Sequence, residues 1–489
     1  MPVNSQSSYY KDLISSWTLM MDCIEGEDAI KNNGETYLPK LSGQDNSDYE
    51  EYKERGTFYN ATSRTIQGLS GAILRKPPTI KTTISQELLD AITTNGLPLV
   101  EVIRLVIDKQ IGTGYLGVLV DMPLEGGNPY VAIYQAHDIL NFQTTIINGA
   151  STLTMLALRE VLRVPKADDP YEMEEKERIR ILFLVDGIYQ ISLYEKLEKA
   201  KKEEWILVEP SFAPTILGKA IDFIPFVFFG ALSNIPEPPK PPLLDLAKLN
   251  VKHWQITVDY YHGLHYCALP TPWATGFDSK AKLYIGPGKA WVSENENAKC
   301  GFLEFSGAGL AAVSKAVEEL ESKMAVLGAR LLEEQKKVGE TAETMERRQA
   351  SDIVTLSTIA GSCESGMTKV LFFLSMMAGK EDANAEVKLN RDYIVSKLEP
   401  AMIAELVKAL QVGAISQDTF LYNLKQGEIL PEDTTIEDEK LKIEADNAGN
   451  IEKQMADLMK NTFANATNAT LANATNATSN VFPIKKGIK

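Results

Sequence analysis

The chain has 489 residues, 44% of them hydrophobic and 24% charged, with a formal net charge of −16. That length exceeds one ordinary core, so about two to four structural units are expected. The acidic balance argues against a protein that grips nucleic acid over its whole surface, because phosphate neutralisation needs net positive charge.

Cys23, Cys267, Cys300 and Cys363 are far apart and form no CxxC pair, which points to free thiols in a reducing compartment. The opening residues, MPVNSQSSYYKDL, show no basic stretch followed by an apolar run. The most apolar run, residues 223–232, contains Pro225 and falls short of the ~20 residues a membrane span needs. A soluble cytosolic product is the expectation.

In chain order, residues 9–31 read as a helix with Leu13, Trp17, Met20, Met21 and Ile24 on one side, stopped at Asn32-Asn33-Gly34. A second helix starts near Ser47 and carries Phe58, Thr62, Ile66, Leu69 and Ile73 up to Pro77-Pro78. Residues 84–94 and 98–110 read as two shorter helices. From Gly112 to Gly230 the character is strand-like, with runs at 115–121, 130–135, 139–145, 153–164, 179–185, 189–194, 205–209 and 226–229. The charged run 196–204 reads as a hairpin tip.

Pro236, Pro238, Pro239, Pro241 and Pro242 then impose an extended, stiff link. A helix follows, with Leu243, Ala247, Val251, Trp254, Val258, Tyr261 and His265 on one stripe, ending before Pro270 and Pro272. Residues 271–305 look short-stranded and turn-rich, with strands at 282–285, 290–292 and 301–305.

Two long helices come next. Val313, Val317, Leu320, Met324, Leu327 and Leu331 form the stripe of the first. Ile353, Leu356, Ala360, Cys363, Met367, Val370, Leu374 and Met377 form that of the second. Between them, residues 333–349 carry five acidic and four basic residues and few apolar ones, so this connector should sit in solvent or line a water-filled space. Helices are expected again at 385–398, 400–412, 416–425 and 451–462. Residues 427–447 hold eight acidic and two basic residues. The tail repeats Asn-Ala-Thr from Asn465, a low-complexity pattern that favours disorder. Those triplets match the N-glycosylation pattern, which the lack of a secretion signal makes incidental.

Signatures of catalysis are sparse. Gly286-Pro287-Gly288-Lys289 departs from a phosphate-binding loop, since Leu283 stands where the leading glycine belongs and Ala290 follows the lysine. The only histidines are His137, His253, His262 and His265, and no G-x-S-x-G is present. His262, His265, Cys267 and Cys300 are zinc-ligand types, yet no paired spacing repeats among them. They define the rival reading, a metal-dependent hydrolase; a monomeric adaptor binding through the 310–379 helices is a third. No catalytic residue, metal or cofactor is expected. Lys336-Lys337 and Arg347-Arg348 flank the connector's centre, where, repeated around a ring, they would touch DNA phosphates weakly.

Several fragments, taken together in order, resemble the portal proteins of tailed bacteriophages, in a branch known only as a domain of unknown function. They are Pro129-Tyr130 with His137-Asp138-Ile139-Leu140-Asn141, then Asp186-Gly187-Ile188-Tyr189 and Ile224-Pro225-Phe226. Pro241-Pro242-Leu243-Leu244-Asp245-Leu246-Ala247, Asn250 and Asp259-Tyr260 follow. Leu327-Gly328-Ala329-Arg330-Leu331-Leu332 and Glu340-Thr341-Ala342 complete the set. The resemblance extends over residues 9–425 and leaves out the acidic tract and the tail.

The resemblance implies an α+β, ring-forming subunit, usually one of twelve, at one vertex of the capsid in the virion, assembled in the host cytoplasm. Residues 1–235 would be a mixed helix-and-strand wing, 243–266 and 310–332 a two-helix stem, and 271–305 a small β-rich clip. Residues 333–349 would be a tunnel loop, 350–379 a long wing helix, 385–462 a helical crown and 463–489 a low-complexity tail. Double-stranded DNA would pass through the ring during packaging and ejection, meeting Lys336, Lys337, Glu340, Thr341, Arg347 and Arg348. The clip, through Trp273, Lys280, Lys282, Lys289 and Trp291, would meet the large terminase and later a head–tail adaptor. The major capsid protein and scaffold would be further partners, with no membrane.

Overall fold

The computed structural model describes residues 3–123, 126–166, 169–197, 204–268, 271–278, 282–286, 290–303, 307, 309–328, 342–391, 393, 400–427, 429–430 and 434–446. The chain divides into two compact units, Met1–Tyr393 and Ile394–Lys489. The architecture is α+β, with antiparallel pairing throughout the described strands.

The first unit opens with α1 (Ser8–Glu25) and α2 (Glu27–Asn32). They are two helices where the apolar pattern suggests one, because Gly26 sits at φ 109°, a conformation other residues avoid. The expected helix from Ser47 is likewise two, α3 (Asn46–Arg55) and α4 (Ala61–Ile73). Asn60 caps α4 by accepting from the Ser63 amide at 2.9 Å. There follow β1 (Thr79–Lys81), α5 (Gln86–Asp90) and α6 (Leu99–Gly112).

The strands are β2 (Tyr115–Asp121), β3 (Tyr130–Gln135), β4 (Ile139–Ile147), β5 (Ala150–Pro165), β6 (Met173–Val185), β7 (Ile188–Lys196), β8 (Trp205–Phe212), β9 (Thr215–Ile216), β10 (Lys219–Ala220) and β11 (Phe226–Gly230). Two sheets result. One has the order β11-β2-β3, with every residue of β2 buried at its centre. The other is the meander β4-β5-β6-β7-β8. The 196–204 run closes the β7–β8 hairpin through a 2.9 Å bond from the Leu197 amide to the Glu204 carbonyl.

A buried charge network joins the sheets. Arg180 lies 2.7 Å from Asp121 on β2 and 2.7 Å from Glu160 on β5, and Tyr134 donates to Glu160 at 2.6 Å. Burial would push the Glu160 carboxyl up, but Arg180, Tyr134 and Arg178 outweigh it and hold the group below the ordinary glutamate range. Paired and bonded in this way, the charges offset the cost of their burial and add little net stability.

The remaining elements are α7 (Leu244–Ala268), β12 (Thr271–Thr275), β13 (Lys299–Leu303), α8 (Leu310–Gly328), α9 (Ala342–Met377) and β14 (Glu386–Lys388). The second unit contains α10 (Pro400–Gln411), α11 (Gln417–Gln426) and a helical run at 436–446 within the acidic tract. Three expectations need correction. Residues 386–388 form β14, paired with β1, where a helix was expected; the pairing buries Val387 and leaves the flanking Glu386 and Lys388 toward solvent. Helix α9 begins at Ala342, inside the expected connector, whose residues 333–341 lie outside the described residues. The 282–285 and 290–292 segments are not strands; the hairpin of that region pairs Thr271–Thr275 with Lys299–Leu303. The expected helix at 451–462 and the Asn-Ala-Thr tail lie outside the described residues.

Helix α9 crosses the core of the first unit. Leu356, Ala360, Cys363, Met367, Val370, Leu374 and Met377 are all buried, as their spacing required. A polar latch sits among them: Gln110 donates to the Gly230 carbonyl at 2.9 Å and to Ser362 Oγ at 3.1 Å, while Asn234 donates to the Ser362 carbonyl at 2.8 Å. Opposite β11, a Cβ at Gly366 would lie 2.2 Å from Phe229 Cε1 in a ring that is wholly buried. Gly366→Ala is therefore expected to cost about 1–3 kcal/mol by overpacking. Thermal unfolding should show a lowered Tm, partly recovered when Phe229→Leu is added to make room.

Candidate functional site

The Pro-rich link delivers the chain into α7. Tyr115 on β2 anchors it by donating to the Pro236 carbonyl at 2.5 Å. The first half of α7 is core: Leu246, Ala247, Asn250, Val251, Trp254 and Val258 are buried. Helices α1 and α4 pack on α7, and α3 reaches it at Asp259 and His262. From Tyr261 onward the same stripe is open, with Tyr261 43% exposed against 0% for Val258 and His265 exposed as well. One continuous helix thus starts as core and ends bare.

Helix α8 runs back along α7. Leu310 approaches Gly263 at one end, and at the other Gly328 fits against Leu246 and Thr65. Leu320 and Met324 are buried, whereas Val326 and Leu327 are exposed. The pair is also tied by polar groups. Asn250, fully buried, accepts from the Thr62 amide at 3.1 Å and Thr62 Oγ1 at 3.0 Å, and donates to the Tyr59 carbonyl at 2.7 Å. It thereby satisfies an early amide of α4 that no residue within α4 serves. His253 Nε2 lies 3.3 Å from Glu321 on α8. Beside this tie, a cavity of about 450 Å³ opens between α4 and α8, lined by Tyr59, Ala61, Arg64, Thr65, Glu321, Met324, Ala325 and Gly328.

At the far end, β12 and β13 form a hairpin with Trp273 opposite Gly301. The missing side chain leaves room for the indole, which would lie 3.1 Å from a Cβ at that position. Trp291 donates its indole N–H to the Tyr284 carbonyl at 2.8 Å. Around these, Leu283, Tyr284, Ile285, Val292, Phe302 and Leu303 are exposed. These six form an exposed apolar group within a small lobe.

Of the residues expected to meet a partner here, Trp273, Trp291 and Lys282 share this lobe, and Lys280 and Lys289 lie outside the described residues. Of those expected to meet DNA, Lys336, Lys337, Glu340 and Thr341 lie outside the described residues. Arg347 and Arg348 fall in the first turns of α9, and only their backbone is described. The four zinc-type residues are not assembled into a ligand set. His262 Nδ1 is engaged with Arg55 at 2.9 Å, His265 packs edge-on against Tyr266, and Cys300 is exposed on β13. Among the described residues no group of three or more His, Cys, Asp or Glu side chains is placed to share an ion. No helix among them is long and apolar enough to cross a membrane.

The tertiary pairs Thr62–Asn250, His253–Glu321 and Arg55–His262 were not foreseen, although Asn250 breaks the apolar surroundings of its stripe and is a signal of a buried polar role.

Comparison with known proteins touches this part of the chain. A family model described as a domain of unknown function (DUF4055) matches residues 242–378, the arm and the helix that follows it. No curated protein matches. Among solved structures, the neck of an empty gene transfer agent particle, computed with C6 symmetry, is 12% identical with a TM-score of 0.36, covering 82% of this chain and 98% of that one. The neck of a native particle, computed with C12 symmetry, gives 11% and 0.36 over 76% and 92% of the two chains. The virion of a native gene transfer agent particle gives 13% and 0.33 over 76% and 91%. Likeness at this level assigns no role to any residue of the arm.

The arm's seating rests on Asn250. Asn250→Ala should lower stability by about 1–3 kcal/mol, because the Thr62 amide and the Tyr59 carbonyl lose a buried partner. Urea denaturation of the single variant, of Thr62→Val and of the double variant should show clear non-additivity.

Proposed function

We propose that this chain is the subunit of a portal-type ring: a conduit for double-stranded DNA at one capsid vertex of a phage-like particle, with no catalysis of its own. The observation that carries the reading is the α7–α8 arm, whose apolar stripe is covered as far as Val258 and bare from Tyr261, ending in a lobe that exposes six further large apolar residues. A single copy leaves that surface wet. Neighbouring copies arranged cyclically would cover it, each presenting one flank of its arm to the next. The DUF4055 match falls on this arm and α9, within the part of the sequence that carries the portal resemblance.

On this reading residues 243–266 and 310–332 are the stem, and residues 271–305 are the clip that docks the large terminase and then a head–tail adaptor. Residues 333–349 form the tunnel loop, where Lys336, Lys337, Arg347 and Arg348 give brief phosphate contacts in a bore of mostly negative chains. Residues 350–379 are the long wing helix that anchors the loop, and residues 385–462 are the helical crown. The major capsid protein and scaffold surround the wing.

The purified chain should assemble into closed rings. Twelve copies of 54.1 kDa give about 650 kDa, readable by light scattering, with a central hole in electron micrographs. A stable single copy, or an assembly without a hole, would overturn the reading. Lys336→Gln with Lys337→Gln should leave ring formation intact and alter DNA packaging. Rings lost while residual rings package normally would refute the loop assignment.

A further inference from the structure

Helix α3 is short, heavily charged and exposed along much of its length, yet it lies across the part of α7 where burial gives out. Its hold there is polar. Tyr52 donates its hydroxyl to Asp259, and its ring meets the His262 ring edge-on at 5.0 Å. Arg55 Nη1 lies 2.9 Å from His262 Nδ1. Just before α3, the Tyr37 carbonyl accepts from Gln255 at 2.5 Å.

The Arg55 contact dictates a protonation state. A guanidinium has five N–H donors and no acceptor, so Nδ1 must offer a lone pair. His262 is then the neutral tautomer protonated at Nε2. A second proton would remove the acceptor and set two cations about 3 Å apart. The charged and titratable groups facing the imidazole are Arg55, Asp48 and Tyr52 from α3, and Asp259, His265 and Tyr266 from α7 itself. Asp259 and Asp48 favour the charged imidazole, but each acts more weakly than burial and Arg55, which oppose it, and Asp259 is already engaged by Tyr52.

We propose that Arg55 and His262 form a pH-read clasp that holds α3 on α7 while His262 is neutral and releases it when His262 is protonated. Burial first, then Arg55, keeps the imidazole below its ordinary pKa in the folded chain. The native state therefore binds fewer protons than the unfolded state across this window. The contribution of the clasp is complete above about pH 6.5, the unfolded value, and is lost as pH falls below it. Release would uncover more of the arm, next to the stripe already open at Tyr261.

Hydrogen exchange read by mass spectrometry on the full chain tests this, with α3 protection normalised to α6 and corrected for intrinsic rates. Between pH 7.5 and pH 5.0, α3 in the wild type should lose protection by about threefold to tenfold relative to α6. His262→Gln keeps a side-chain acceptor and takes up no proton, so its α3 protection should be flat over the same range. Equal loss in His262→Gln, or no loss in the wild type, would overturn the proposal. If loss of α6 protection shows that His262→Gln misfolds, Arg55→Gln decides: removing the opposing cation should shrink the pH step, and an unchanged step refutes the clasp. The outcome does not depend on ring formation.

Discussion

One helix outruns the body that covers it. The stripe of α7 is continuous in sequence from Leu243 to His265, but cover is continuous only to Val258. Burying an aliphatic or aromatic side chain is worth about 1.5–3 kcal/mol, so each group left in water on the second half is a contribution forgone in the isolated chain. Helix α8 does not repair this. It covers one flank of α7 through Leu320 and Met324 and carries Val326 and Leu327 outward itself. The excess is too ordered, and too confined to the arm and its terminal lobe, to resemble the apolar residues scattered singly over most surfaces.

The rest of the first unit is built to hold that arm rigid. Both of its ends lead into the three-stranded sheet. The entering link is tied by Tyr115 to Pro236, and the returning helix α9 is latched by Gln110, Asn234 and Ser362 to the end of β11. Gln110 comes from α6 and Ser362 from α9, so the latch spans elements about 250 residues apart in sequence. Being buried and largely satisfied, it locks one arrangement of α6, β11 and α9 more than it adds net stability.

Apolar periodicity made much of this legible. The α9 stripe from Leu356 to Met377 is buried residue for residue, and β2 and β3 occupy the ranges their β-branched and aromatic runs marked out. Misreadings came where backbone geometry or a distant partner overrode a local pattern. Gly26 splits a helix whose apolar side runs on unbroken, because its positive φ redirects the chain. Residues 386–388 sit among good helix formers and become a strand because β1, some three hundred positions earlier, offers an edge to pair with. The zinc-type residues, for which no metal was expected, go separate ways: His262 turns toward α3 and Cys300 lies exposed on β13. Spacing alone carries no information about which way a side chain points once two helices cross.

The polar contacts along α7 explain why a pattern reader finds the rod but not its placement. Asn250, His253, Gln255, Asp259 and His262 follow one another at intervals of two to four residues, reaching in turn α4, α8, the Tyr37 carbonyl, and α3 twice. Apolar contacts are tolerant of sliding, because one methyl group serves nearly as well as the next. A hydrogen bond is not, since a shift of one residue leaves a donor or acceptor dry at a cost comparable to the bond itself. The stripe therefore supplies the adhesion, and the polar series fixes register and crossing angle. In the proposed ring, where each arm would present the same flank to the next copy, that register would matter more than additional stability.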